Sequence, residues 1–394
     1  MNFSLHIGFL PLLLTAFFAA SVATSALIYF FRVRKVTVAR NRADHERPEI
    51  PDSAYPPVSV LVYSQDDAEN LSALLPGLLG QDYPSEFEVI VINEGESVDV
   101  RDAVSSLRPS HHNLYLTFTP EGVRNLSRKK LGVTLGVKAA RYRHVVLTTT
   151  AVDIPSPMWL RRMASGFAMS DTTEIVLGWA EIDPAEDNAR GCRRRAFDHV
   201  AESCRWLAPA LAGKPFRGSE YNIAYTKDIF MRNNGFARSL NLCNGDDDIF
   251  ISEIVRPGNT HVELAEDSFV RLRHGNHPRI AGERMLRRCF TESFIRRRPR
   301  VLPSLPGRLQ IAGFAAGIAA AVLAWPNATV AAASGLLTIL CALTDILFWR
   351  PAMKAMKSRR LMLTIPWLAA TFPLRRAARG IRSRLSSQKK YTWD

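Results

Sequence analysis

Cysteine is scarce in this chain, five residues in 394, and Cys192, Cys204, Cys243, Cys289 and Cys341 form no C-x-x-C pair or other metal-ligand spacing. That leaves no cysteine-held metal site and fits a reducing, cytoplasmic setting in which the thiols pack as small apolar groups. Charged side chains are missing altogether from residues 7–31. At about 1.5 Å per helical residue, such a stretch crosses a bilayer core. It also lacks the basic start, short apolar core and small-residue cleavage site of a secretory leader, so it reads as a retained anchor. Acidic residues are outnumbered, 37 against 51 Lys plus Arg, for a net charge of +14.

The excess positive charge is not spread evenly. Arg32, Arg34, Lys35, Arg40 and Arg42 follow the first apolar stretch, which by the positive-inside rule places the next domain in the cytoplasm. Two further apolar stretches, 309–325 and 328–349, are joined by an uncharged turn at Pro326 and Asn327, and only Asp345 interrupts the second. Arg296, Arg297, Arg298, Arg300 and Arg308 precede this pair, and Arg350, Lys354, Lys357, Arg359 and Arg360 follow it, so both flanks are on the cytoplasmic side. Residues 361–374 are apolar but short and contain Pro366 and Pro373, which predicts an interfacial or re-entrant segment. The basic tail at 375–390, next to membrane segments, is explained by membrane lipid headgroups and not by nucleic acid. The expected organisation is an anchor at 1–31, a basic linker at 32–55, one domain at 56–300, a membrane hairpin at 309–349 and a basic tail at 350–394.

Within the central domain, V-S-V-L-V from Val58 predicts a buried strand, and Asp66, Asp67 and Glu69 lead into a helix through Leu71, Leu74, Leu75, Leu78 and Leu79. E-V-I-V-I at 88–92 is a second strand, ending in Asn93 and Glu94. Strands at 114–118, 144–148 and 174–179 and a helix at 190–211 complete an α/β pattern. In an open sheet of this class, ligands bind at the carboxyl ends of strands, where Asp67 and Glu94 fall. Arg128, Lys129 and Lys130 open another helix, where a basic turn meets either a diphosphate or solvent. Most unusual is G-D-D-D at 245–248. Three consecutive carboxylates repel unless a cation, a shared proton or a hydroxyl to be deprotonated relieves them, although a solvated helix start also takes acidic residues.

These blocks, P-P-V-S-V-L-V with D-D-A-E-N-L, Q-D-Y-P, E-V-I-V-I-N-E, R-K-K-L-G-V-T-L-G-V-K-A-A, G-S-E-Y-N-I-A-Y and G-D-D-D, taken in order over residues 56–288, resemble the family 2 glycosyltransferases of the GT-A fold. The similarity is to the bacterial membrane-bound members. It implies a GT-A-like nucleotide-sugar-binding mixed sheet flanked by helices, held at the cytoplasmic face of the inner membrane by transmembrane helices. It also implies an inverting transfer of a sugar from a nucleotide-diphosphate sugar to a lipid-linked or cell-envelope glycan acceptor. By the same resemblance Asp67 and Glu94 contact base and ribose, where relatives more often carry Asn-Glu at 66–67 and Asp at 94. Lys129 and Lys130, read from the basic helix start and not from the resemblance, are the candidates for the donor's diphosphate if that turn does not simply face solvent. Gly218, Glu220 and Asn222 lie beside sugar and acceptor. Asp247 is the general base, with Asp246 and Asp248 as supporting charges that raise its pKa.

Two of the family's motifs are missing. Relatives carry an Asp-x-Asp signature for Mg2+ or Mn2+ after the strand at 144–148, whereas aligning T-T-A-V-D-I-P-S-P-M-W-L on Pro155, Ser156 and Trp159 puts Thr150 and Val152 at those positions. Asp153, one residue later, is at most the metal ligand and otherwise a helix cap. Long-polymer synthases carry Q-x-x-R-W, and here G-E-R-M-L-R-R-C-F offers only Arg284, Arg287 and Arg288. Those arginines bind the diphosphate and acceptor side or form a juxtamembrane basic helix, and single-sugar transfer is favoured over a processive reaction. The loss of the metal motif also keeps open a catalytically degenerate subunit or scaffold.

Overall fold

The computed structural model describes residues 8–46, 49–120, 126–183, 190–295 and 297–385, with the side chains of 297–304 excepted. Arg296, the side chains of Arg297, Arg298 and Arg300, the first seven residues of the expected anchor and the last residues of the tail lie outside that description.

Helix α1 (Phe9–His45) is continuous, so the residues expected to begin a basic linker are helical as far as His45. The reason is packing. Val33 and Val36 are buried in the core of the central domain, and Arg40, also buried, pairs with Asp44 and Glu266 and lies 4.8 Å from the Phe269 ring. The domain then runs β1 (Val58–Ser64), α2 (Ala68–Leu79), β2 (Phe87–Glu94), α3 (Val98–Leu107), β3 (Leu114–Thr119), α4 (Arg128–Ala139) and β4 (His144–Thr149). It continues with β5 (Val152–Asp153), α5 (Trp159–Met169), β6 (Ile175–Leu177), β7 (Ala180–Ile182), α6 (Cys192–Ala210), β8 (Ile223–Thr226) and α7 (Lys227–Arg232). Helix α8 (Ile249–Ile254), β9 (Thr260–Val262), β10 (Val270–Leu272) and α9 (Pro278–Thr291) close it.

The main sheet has the order β3-β2-β1-β4-β8-β6-β9. Strands β1 to β4 are mutually parallel, β8 is antiparallel to both its neighbours, and β5-β10-β7 make a separate small sheet. Alternation along each strand divides the core in two. Val58, Val60 and Val62 face α2, α3 and α5, while Leu61 and Tyr63 face α4 and α6. The connections after β1 wind towards β3 and the chain then returns to the other side of β1, so the switch point lies between β1 and β4, the place where an open parallel sheet leaves a crevice.

Three helices are long and apolar enough to cross a membrane: α1, residues Leu305–Leu323 within α10 (Arg297–Leu323), and α11 (Ala328–Ala355). They pack on one another, with the Phe18 and Phe314 rings 5.5 Å apart, and Asn327 in the turn caps α11 through the Thr329 N–H. The segment at 361–374 extends into a 21-residue helix, α12 (Ile365–Leu385), which buries Ile365, Leu368 and Ala369 and leaves Trp367 outward, with Leu363 exposed just before it. Helix α6 lies between the sheet and these helices and is buried on nearly every side.

Candidate active site

A cleft of about 400 Å3 opens at the carboxyl ends of β1 and β4. That is within the usual range for a small-molecule site, about 300–1,000 Å3. Tyr63, Asp67 and Glu94 reach it from the strand ends, Arg128 and Lys129 from the start of α4, Thr149 and Thr150 from the end of β4, Glu220 and Tyr221 from the turn before β8, and Arg287 from α9.

Asp67 ends up there because it caps α2. Its carboxylate accepts from the Asn70 amide, 2.9 Å to each oxygen, and from the Thr150 hydroxyl at 3.1 Å. Glu94, half-buried at the end of β2, has its carboxyl raised by burial against the opposing pull of Arg128 and Lys129, which places both cations close to it. Lys129 bridges the cleft wall to the acidic cluster, donating to Glu220 and to Asp246 at 2.8 Å. Burial opposes the Lys129 charge, and these two carboxylates outweigh burial and raise its pKa. In the same way burial would raise the Glu220 carboxyl, and Lys129, with Arg287 and Arg288 further off, holds it below the usual range.

The acidic cluster is shaped by Gly245, whose φ of +109° is strained for a residue with a side chain, and whose added Cβ would meet Ile249 at 2.5 Å. This turn separates the three aspartates. Asp246 faces Lys129. Asp248, 1% exposed, caps α8 and takes hydrogen bonds from Arg217 at 3.1 Å and from the Thr291 hydroxyl. Asp247 is half-buried and forms no ion pair among the described residues. Burial first, then Asp248, Asp246 and Glu220, push its carboxyl well above the ordinary range. Asp247 does not line the cleft wall itself; it adjoins it through Asn244 and Glu220, which do.

Several expected contacts are structural instead. Asn222, fully buried, accepts from Trp159 Nε1 at 3.1 Å and donates to the carbonyls of Trp179 and Ser268 at 3.0 and 2.7 Å, so its amide is committed to the core. Gly218 is buried too. Its N–H donates to the Asp247 carbonyl at 2.6 Å, and a Cβ there would meet Ile223 at 2.7 Å, so the glycine lets this turn lie against the acidic loop. Lys130 is likewise withdrawn from any ligand. Its ammonium donates to the Ser239 carbonyl, the Ser239 hydroxyl and the Asn244 carbonyl, tying α4 to the loop that presents the cluster, and burial lowers its pKa to about 8. Arg284 is buried and donates to the Gly275 carbonyl, while the Arg288 carbonyl accepts from Arg217 and one nitrogen of its guanidinium is buried. Of that arginine group only Arg287 lies on the cleft wall.

Asp153 fails as a metal ligand. It sits on β5, paired in register with β10, and its carboxylate is held by Arg273, whose other arm donates to Asn70 at 2.6 Å. Thr150 is committed to Asp67 and Val152 is buried and apolar. Hard divalent cations prefer several carboxylate oxygens, and no group of three or more His, Cys, Asp or Glu is arranged to hold a metal ion among the described residues. The residues therefore do not fit a bound Mg2+ or Mn2+.

Sequence reading missed Tyr63, Tyr221 and Asn244 on the wall, and Arg217 behind it. Tyr63 could have been found from its place at a strand end; Arg217 had no signal, because its partners Glu202 and Asp248 are distant in sequence.

No protein-family model and no curated protein matches the chain. Among solved structures it is similar to S. aureus TarS 1-349 in complex with UDP-GlcNAc, at 13% identity and TM-score 0.41 over 84% of this chain and 92% of that one. It is similar also to glucosyl-3-phosphoglycerate synthase from Mycobacterium tuberculosis in complex with Mn2+, UDP-Glc and phosphoglyceric acid, at 15% identity and TM-score 0.38 over 58% of this chain and 77% of that one. A fuller likeness is to the mannosyltransferase PcManGT from Pyrobaculum calidifontis in complex with GDP-Man and Mn2+, at 19% identity and TM-score 0.51 over 91% of this chain and 99% of that one. That likeness is one of fold, and with the sheet order above it gives the chain a GT-A-like glycosyltransferase fold.

Proposed function

We propose that the protein is an inverting glycosyltransferase that moves one sugar from a nucleotide-diphosphate sugar to a lipid-linked or cell-envelope glycan acceptor at the inner face of the cytoplasmic membrane. The observation that carries this reading is the separation of three adjacent carboxylates into three roles. Asp246 is neutralised by Lys129, Asp248 is locked by Arg217 and Thr291, and Asp247 alone stays without an ion pair, beside a cleft of ligand size.

Asp247 takes the proton of the acceptor hydroxyl, whose oxygen attacks the anomeric carbon from the face opposite the leaving group. The bond from that carbon to the β-phosphate oxygen breaks, and the nucleoside diphosphate departs with the electron pair. Asp67 and Glu94, which line the cleft at the ends of β1 and β2, accept from the hydroxyls and base of the nucleoside in this reading, which their strand-end position supports. An acceptor carried on lipid is favoured by position, since the domain is packed directly against the apolar helices. A second cavity of about 180 Å3 at that junction supports an amphiphile, being walled by Tyr29, Trp349 and Phe372 together with Arg32, Arg308 and Arg376. The PcManGT likeness supports the donor class through the GDP-Man named with it.

The test is Asp247→Asn in the full-length protein, with transfer from a panel of nucleotide sugars to membrane extracts and with nucleotide binding as a second readout. Turnover falls by roughly 10²-fold or more while nucleotide affinity is kept. A fully active variant would remove Asp247 as the base, and a wild type that binds nucleotide but never transfers would favour a non-catalytic subunit.

A further inference from the structure

We infer that the donor's diphosphate is held here by arginine side chains, Arg128 and Arg287, in place of a divalent metal; this rests on reading the cleft as a nucleotide-sugar site. The first observation is the donor set described above. Where two carboxylates would hold a cation, the chain has a threonine bonded to Asp67, a buried valine, and an aspartate already paired with Arg273.

The second is the distribution of positive charge around the same cleft. Lys129 is matched by two carboxylates and has no charge to spare. Arg128 and Arg287 line the cleft and form no ion pair among the described residues. Arg128 stands in the first turn of α4, and its Nε is buried without a hydrogen-bond partner. A phosphate anion in the cleft supplies the counter-charge that Arg128 lacks among the described residues. Arg287 is exposed on α9 and lines the same cleft, and its field reaches Glu220.

The third is chemical fit. A guanidinium presents N–H groups in a planar fork that matches two phosphate oxygens, and it needs no carboxylate ligands to hold it. As the glycosidic bond breaks, the electron pair passes to the β-phosphate oxygen, and the two guanidinium groups that line the cleft offset that charge. The backbone N–H groups at the start of α4 add to the same potential.

The experiment measures binding of GDP and of UDP to the full-length protein in detergent, by calorimetry, in EDTA and then with added Mn2+. The inference expects binding of one nucleotide in EDTA and an unchanged affinity with Mn2+. Arg287→Met and Arg128→Met should each weaken it by about 10-fold or more, with Arg287→Lys in between. Asp153→Asn should leave affinity as it was. Thermal unfolding serves as the fold check, and if Arg128→Met is not folded the exposed Arg287 carries the test. Binding only with Mn2+, or loss of affinity in Asp153→Asn, overturns the inference and leaves the transferase reading standing. No binding of either nucleotide under both conditions overturns the transferase reading, and the inference with it.

Discussion

Asp246, Asp247 and Asp248 are neighbours in sequence and meet three different environments, because the turn at Gly245 and the start of α8 aim their side chains apart. What each can do is decided by its partners. A carboxylate paired with Lys129 or with Arg217 is a poor base, since accepting a proton would break the pair. Asp247 is free to accept one. Its carboxyl is raised by burial and by Asp248, Asp246 and Glu220, and it must be deprotonated to act, so activity rises with pH through its ionisation. The acid limb of kcat/KM is therefore expected well above about pH 4, where an ordinary carboxylate titrates. A pH profile flat down to that region would mean that a solvated carboxylate is the base and that Asp247 is not.

At the scale of elements, the largest surprise is the seam between α6 and α12. Asp198 and Glu202 on α6 are buried, and they are answered by Arg375, Arg376 and Arg379 on α12, with Glu292 and Arg205 completing the group. The same Glu202 accepts from Arg217 at 3.2 Å, and Arg217 in turn holds Asp248, so the helix that follows α11 is joined by charges to the acidic loop. Breaking a buried pair costs about 3–5 kcal/mol when one partner is stranded. Here Glu202 keeps two arginines, so Arg376→Met should cost less, about 1–3 kcal/mol, seen as a lower Tm with donor affinity unchanged. An unaltered Tm would show that the seam contributes nothing to stability.

This seam also marks how far the sequence could be read. The strands at β1 and β2, the leucines of α2 and the apolar stripe of Phe197, Val200, Cys204 and Leu207 are local patterns with a fixed period, and each was legible. The opposite face of α6 was not, because its charges are buried only through partners more than 170 residues away. For the same reason the tail arginines at 375–379 were read as lipid contacts when they bind protein carboxylates. Asp67 and Glu94 line the cleft, and that position was legible because strand ends predict a cleft. Asn222 and Lys130 were misread, since motif position does not tell whether a side chain turns towards ligand or core.

For the whole molecule, charge and packing give one consistent topology. Arg40 docks the end of α1 on the domain through Glu266, and Lys357, following α11, pairs with the same Glu266. The two helix ends therefore meet the domain on one side of the apolar layer, and the uncharged turn at Trp325–Asn327 falls on the other. By the positive-inside rule, the proposed orientation keeps the domain and α12 inside the cell, and protease access to vesicles tests it. In right-side-out vesicles, trypsin is then expected to leave the domain whole, and in inverted vesicles to cut it. An Asn327→Cys variant should react with a membrane-impermeant maleimide from outside in the first preparation only. Cleavage of the domain in right-side-out vesicles, or labelling of that cysteine only in inverted ones, would reverse the orientation and would put the cleft out of reach of cytoplasmic nucleotide sugars.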